Sequence, residues 1–272
     1  MDLIDPLLIN SLASTRRVLL IDYVGVGKSS GTVASSAAEC AKQILDFVSL
    51  LGEPEIDVLG FSVGGRISQL VALNAPSHFA HRKDVQPVQV RKLIIAGSTT
   101  SPSPGSGIAA PSPQRAEVIL KVAAAPTLPI EAYETLFFSD DEIGRKACAE
   151  WWARLGERSE RSSGEDMSGW LDEGYTDWGL ATGIHNQAAM LEKFDSEEGS
   201  QGLDGSYDRL PSLNIPVLVA NGSDDFMVPT INSFVTQQKL KKGKLIVYPN
   251  SGHGFLYQYA TEFSADVERF LQ

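Results

Sequence analysis

The chain has 272 residues, 43% hydrophobic and 21% charged, with 23 basic against 34 acidic side chains and a formal net charge of −11. That balance is ordinary for a globular protein and excludes a collagen-like fibre, wholesale disorder and a disulfide scaffold. So acidic a surface argues against nucleic acid or an anionic membrane face as the main partner.

Met1 to Arg17 carries no basic segment ahead of an apolar run, so no signal peptide is read there. Val18-Leu19-Leu20-Ile21-Asp22 is a short apolar run ending in a glycine-rich turn and predicts a buried strand. Ala37 to Leu51 repeats Ile44, Leu45, Val48 and Leu51 at helical spacing. Ile56 to Phe61 reads as a second strand, with a helix from about Gly65 to Leu73. Leu93 to Ala96 is a third strand. A Pro/Ser/Gly-rich segment, Ser101 to Pro113, then suits a hinge or loop. Helix-like pieces follow at Gln114 to Val122 and Asp141 to Leu155, and the tryptophans Trp151, Trp152, Trp170 and Trp178 all fall in this stretch. An acidic loop near Ser196 to Ser206 leads back to strands at Val217 to Ala220 and Leu245 to Tyr248, and a last helix at Thr261 to Leu271.

Strands apolar throughout and alternating with helices predict a mostly parallel α/β sheet covered on both faces. Residues 1–98 and 214–272 form the expected core, and 99–213, where no strand is read, an inserted helical cap. No apolar run approaches the roughly 18 residues of a membrane span. The cytoplasm is the expected location. Cys40 and Cys148 lack the spacing of a zinc site or a disulfide framework.

Two G-x-S-x-G matches occur. Gly27-Lys28-Ser29-Ser30-Gly31 is set off from its strand by a turn, and no helix starts at once. The neighbouring Gly25-Val26-Gly27-Lys28-Ser29 is not a phosphate loop either, because Asp22 stands where that motif needs glycine. Gly60-Phe61-Ser62-Val63-Gly64 is the better candidate: a strand runs into Ser62 and a helix follows. A nucleophile elbow has this form, with small residues, here Gly60 and Gly64, on either side of the serine. The alternative is an ordinary βα turn containing a glycine-flanked serine.

A serine needs a base to become a useful nucleophile. His78 and His81 lie in a polar stretch that predicts solvation, and His185 falls in the expected cap. His253, in Pro249-Asn250-Ser251-Gly252-His253-Gly254-Phe255, follows the last strand and so should emerge at the same sheet edge as Ser62. The imidazole in turn needs an orienting acid. Asp224 or Asp225, in Asn221-Gly222-Ser223-Asp224-Asp225-Phe226-Met227-Val228-Pro229 after the fourth strand, could supply it; an Asx turn is the alternative. The order Ser…Asp…His, each after a strand, is the one a triad takes on such a sheet.

These residues resemble the α/β-hydrolase superfamily in its capped, serine esterase or lipase-like form. The likeness rests on Asp5-Pro6, Asp22 to Ser29, Gly60 to Gly65, Asn221 to Pro229 and Ser251 to Phe255, which cover almost all of the chain outside the cap. It implies Ser62 as nucleophile, His253 as base, Asp225 rather than Asp224 as the acid, and the Val63 N–H as oxyanion donor. It also implies acyl-enzyme chemistry on an ester, thioester or lactone without metal or organic cofactor. A small hydrophobic substrate is expected, with Phe61, Phe226, Met227 and Leu256 lining an apolar pocket. A serine nucleophile argues against the aspartate-dependent epoxide hydrolases and dehalogenases of this fold.

The departure is N-terminal. Family members carry a strand and a His-Gly segment ahead of Asp5-Pro6, supplying a second oxyanion donor. Loss of one donor costs about 3 kcal/mol of barrier. The missing strand would lie between Val18–Asp22 and Ile56–Phe61, so one of three outcomes is expected: Val18–Asp22 shifts to pair with the Ser62 strand, another chain fills the gap, or the sequence is a shortened version of a longer protein, with the shift and the shortening favoured. Two further functions stay open: an acyltransferase, lyase or cyclase of specialised metabolism on the same scaffold, and a non-catalytic binding protein.

Overall fold

The computed structural model describes residues 3–27, 29–123, 129–157 and 182–272. Four strands, β1 (Glu55–Phe61), β2 (Gln89–Ala96), β3 (Val217–Gly222) and β4 (Gly243–Tyr248), form one parallel sheet in the order β1-β2-β3-β4. The register sets Phe61 opposite Ala96, Ala96 opposite Ala220, and Ala220 opposite Ile246. All four C-terminal ends therefore open onto one edge.

Strand side chains alternate between faces, and both faces are covered. Leu93, Ile95, Val217 and Val219 pack against Leu45 of α2 (Ala37–Ser49) and Ile67, Leu70 and Val71 of α3 (Val63–Phe79). Ile94, Ala96, Leu218 and Ala220 pack on the other face against Leu8 of α1 (Pro6–Ala13) and Phe263 and Val267 of the C-terminal helix (Ala260–Leu271). This is why the strands read as continuously apolar. Each large apolar side chain so buried contributes about 1.5–3 kcal/mol.

The helix starts are written locally. Asp5 caps α1 through the Leu7 N–H at 2.9 Å, with Pro6 at the first helical position. Ser36 caps α2, and Glu39 three residues on completes the signature of a capping box. Asp5 is fully buried and paired with Arg154, whose Nε lies 3.0 Å from its Oδ1. The same guanidinium donates to the Tyr257 carbonyl at 3.1 Å, tying α1 to the segment just beyond His253.

Between β2 and β3 the described residues hold helices and no strand: α4 (Pro113–Ala123), α5 (Ile130–Phe137), α6 (Glu142–Leu155) and α7 (Thr182–Phe194), then 3-10 turns at Gly202–Asp204 and Tyr207–Ser212. Trp151 and Trp152 sit on α6, whereas Trp170 and Trp178 fall outside the described residues. Ser101 to Pro113 is irregular, but its start is buried and pinned. Ser101 and Ser206 exchange hydrogen bonds, Ser101 N to Ser206 Oγ at 2.9 Å and Ser206 N to Ser101 Oγ at 2.8 Å. No helix among the described residues is long and apolar enough to cross a membrane.

The strand expected at Val18–Asp22 is absent. These residues have no ladder among the described residues, and Leu19 and Ile21 stand 50% and 38% exposed. Nor does this run shift to pair with the Ser62 strand: among the described residues β1 is the first strand of the sheet and pairs with β2 alone. Apolar β-branched sequence favours a strand only when a neighbouring strand completes the ladder, and among the described residues no strand pairs with this run. His78, expected to be solvated, is instead held beside Asp46 and Arg82, with its side chain only 10% exposed.

Candidate active site

Ser62 stands between the last residue of β1 and the first of α3 at φ 54°, ψ −119°. A positive φ is strained for any residue with a Cβ and costs on the order of 1–3 kcal/mol. The surroundings hold it there. Ser62 N–H donates to the Ala96 carbonyl at 2.9 Å, and the Ser98 hydroxyl donates to the Ser62 carbonyl at 2.7 Å. The small neighbours matter unequally. A Cβ on Gly60 would press into the backbone of Gly64 and come within 2.5 Å of Ser68 Oγ. A Cβ on Gly65 would lie 2.6 Å from Ser98 Oγ, whereas one on Gly64 would meet nothing within 4 Å. The sequence-based expectation named Gly60 and Gly64; the tight pair is Gly60 and Gly65, because α3 turns the Gly65 Cα back against the segment following β2.

The serine hydroxyl is partly exposed and lies 2.9 Å from His253 Nε2. His253 Nδ1 lies 2.7 Å from Asp225 Oδ2, with both side chains fully buried. A carboxylate can only accept, so Nδ1 carries the proton and Nε2 of the neutral ring is left to accept from Ser62. The other oxygen, Asp225 Oδ1, accepts the N–H groups of Met227 and Val228, each at 2.8 Å. The apparent Asx turn and the apparent acid are thus one residue, whose two oxygens do different work. Asp225 N–H is held by Thr230 Oγ1 at 3.2 Å, and that hydroxyl donates to the Gly222 carbonyl at 2.7 Å.

Asp224 points the other way. Its side chain is 76% exposed and pairs with Arg115 of α4 at 2.8 Å. Arg115 also donates to the Asp225 carbonyl at 3.1 Å, and its guanidinium lies 4.9 Å from the centre of the Phe226 ring. Arg115→Ala is expected to lower the unfolding free energy by less than about 1 kcal/mol, because Asp224 regains water when the pair is broken. A urea series on Arg115→Ala, Asp224→Ala and the double variant measures this.

The other expected site residues surround this run or lie away from it. Val63 is the first residue of α3, and among the described residues its N–H has no acceptor. Phe61 packs its ring 4.8 Å from the His253 ring. Phe226 and Met227 are half-buried on the Asp225 loop. Leu256 is 2% exposed within the core cluster that contains Phe255 and Phe263. His81 and His185 are exposed. Of the second G-x-S-x-G match, Lys28 lies outside the described residues, while Ser29 Oγ donates to the Asp22 carbonyl at 2.7 Å. Sequence reasoning missed Ser98, Thr230, Arg115 and Phe137. Ser98 alone had a signal, lying just past a strand end at the same edge.

Neither thiol competes with the serine. Burial pushes the Cys40 thiol up to about 11. Burial, then the nearby Glu134 and Glu131, push Cys148 up to about 12. Both stay protonated at neutral pH, and the thiolate is the reactive form. Among the described residues no group of three or more His, Cys, Asp or Glu could hold a metal ion.

A family model described as "Alpha/beta hydrolase family" matches residues 2–267. A Caulobacter sp. (strain K31) protein named "Putative carbamate hydrolase RutD" is 25% identical over 266 residues, 96% of this chain and 82% of that protein. An alpha/beta hydrolase fold protein from Chitinophaga pinensis superposes with a TM-score of 0.75 at 28% identity, over 100% of this chain and 84% of its own. The enol-lactonase from Burkholderia xenovorans LB400 shares the fold with a TM-score of 0.64 at 15% identity, over 98% and 85% of the two chains.

Proposed function

We propose that this chain, which belongs to the alpha/beta hydrolase family, is a serine hydrolase that cleaves an ester, thioester or lactone of a small hydrophobic compound through an acyl-enzyme. The observation that carries this reading is the run Ser62 Oγ–His253 Nε2 at 2.9 Å and His253 Nδ1–Asp225 Oδ2 at 2.7 Å, with the serine in a strained elbow. The Caulobacter relative carries the name of a putative carbamate hydrolase, and a carbamate, like an ester, offers a carbonyl carbon to a nucleophile, which supports this reading.

Each residue has a part in that chemistry. Ser62 Oγ attacks the carbonyl carbon as His253 Nε2 takes its proton. Asp225 holds the ring in the required tautomer and balances the imidazolium. The Val63 N–H, at the start of α3, stabilises the developing oxyanion together with the helix dipole. His253 then returns its proton to the leaving group, water attacks the acyl-enzyme with His253 as base, and Ser62 is restored. The helices between β2 and β3 serve as a cap, and Phe61, Phe226 and Met227 present apolar surface to the substrate.

Labelling with a fluorophosphonate probe tests the reading. The wild-type protein is expected to label on Ser62, and Ser62→Ala to abolish it. Ser62→Gly is expected to abolish labelling and raise stability by about 1–2 kcal/mol, because glycine relieves the positive φ. Absence of labelling in a folded wild-type protein overturns the proposal and favours a non-catalytic binding protein.

A further inference from the structure

We propose that Phe137, the last residue of α5, is a positioning residue for His253, so that the segment between β2 and β3 sets the geometry of the imidazole. The observations come from backbone and ring separately. The Phe137 carbonyl accepts the Gly254 N–H at 2.6 Å, directly beside His253 in the chain. A Cβ on Gly252 would lie 2.8 Å from that carbonyl oxygen, and one on Gly254 3.0 Å from both the oxygen and Phe137 Cβ. The glycines on either side of His253 are therefore small because Phe137 seats against them.

The ring does a second job. It packs T-shaped against the His253 ring at 5.2 Å between centroids and 77° between planes. Phe61 meets the same imidazole from β1 at 4.8 Å and 36°, and the two phenylalanines touch each other edge-on at 6.2 Å. A wall behind Phe137 keeps it in place: Tyr257 stacks on it at 6.3 Å and 9°, and Tyr133 meets its edge at 5.7 Å. Asp141, which caps α6, adds a further tie by accepting from Asn250 Nδ2 at 2.9 Å.

An imidazole that shuttles a proton between two hydrogen bonds must not rotate about χ2. Asp225 holds Nδ1, and the two phenylalanine rings pack on the imidazole from adjacent directions. Removing the Phe137 ring leaves the backbone tie intact but opens one wall, so the imidazole gains freedom at fixed loop position. A misplacement of about 1 Å can lower a rate about 100-fold.

This rests on the serine-hydrolase reading for its rate measurement, but not for a second readout, the downfield proton resonance of a histidine Nδ1–H bonded to a carboxylate. Phe137→Leu is expected to slow fluorophosphonate labelling about 10- to 100-fold, to lower kcat on a short ester with KM little changed, and to broaden or erase that resonance. Phe137→Tyr, which keeps the ring, is expected to restore all three. Wild-type labelling and a sharp resonance in Phe137→Leu overturn the proposal. So does slow labelling with an unaltered resonance, which places the ring's action on the substrate. If the wild type fails to label, yet the resonance is lost in Phe137→Leu and kept in Phe137→Tyr, the hydrolase reading falls and the positioning role stands.

Discussion

Replacing His253 with alanine is expected to lower kcat on an activated ester about a million-fold, and replacing Asp225 with asparagine about ten-thousand-fold. In barrier height these are about 8 and about 5 kcal/mol. The difference follows from position in the hydrogen-bonded run. His253 Nε2 sits 2.9 Å from Ser62 Oγ, and without it the hydroxyl has no base. Asp225 acts one bond further away, at 2.7 Å from Nδ1. Asparagine in its place can present an N–H to the ring, which moves the ring proton to Nε2, the nitrogen that must accept. On the proposed mechanism the double variant is expected to be no slower than His253→Ala, because Asp225 then acts only through His253. Single-turnover measurements on the three variants check this. Roughly additive losses show instead that Asp225 acts independently of His253.

Asp225 has a structural duty as well, since its Oδ1 accepts the Met227 and Val228 N–H groups. Asparagine keeps an acceptor oxygen for that turn, whereas alanine leaves both donors without it. Asp225→Ala therefore loses stability as well as rate, and Asp225→Asn is the cleaner probe of chemistry.

Gly60→Ala is expected to destabilise the fold by about 3 kcal/mol and to abolish labelling, whereas Gly64→Ala leaves stability unchanged or raises it by up to about 1 kcal/mol. A methyl at position 60 would strike the Gly64 backbone and sit 2.5 Å from Ser68 Oγ, so either β1 or α3 must move and Ser62 is displaced with it. A methyl at position 64 enters open space on a helix, where alanine is the better residue. Urea unfolding of both variants, with labelling in parallel, separates them. Equal stability losses at the two positions would mean that close packing at Gly60 is not what holds the elbow in shape.

Much of this molecule is legible along the chain. β2 and β3 announce themselves as apolar runs because both of their faces are covered, and α2 shows its period because only one side is buried. Ser62, Asp225 and His253 stand out because a parallel sheet sends every strand end to one edge, so three residues that each follow a strand share a neighbourhood. The choice between Asp224 and Asp225 was different in kind. The two carboxylates are adjacent and chemically alike, so residue chemistry leaves both open; the family resemblance favours Asp225, and the folded loop turns Asp225 to His253 and Asp224 to Arg115. Phe137 carried no signal either, since an aromatic on an amphipathic helix reads as ordinary core.

Linear sequence determined the fold class, the strand-to-helix boundary at Ser62 and the order of the polar residues, because covalent geometry and local burial patterns act over a few residues at a time. Tertiary structure alone decided that Val18–Asp22 stays outside the sheet, that Gly65 rather than Gly64 is the tight glycine, and that α5 reaches His253. Each of those outcomes depends on what lies across a gap from the residue, and hydrogen-bond partners, steric limits and ring contacts between distant segments exist only once the chain has closed on itself.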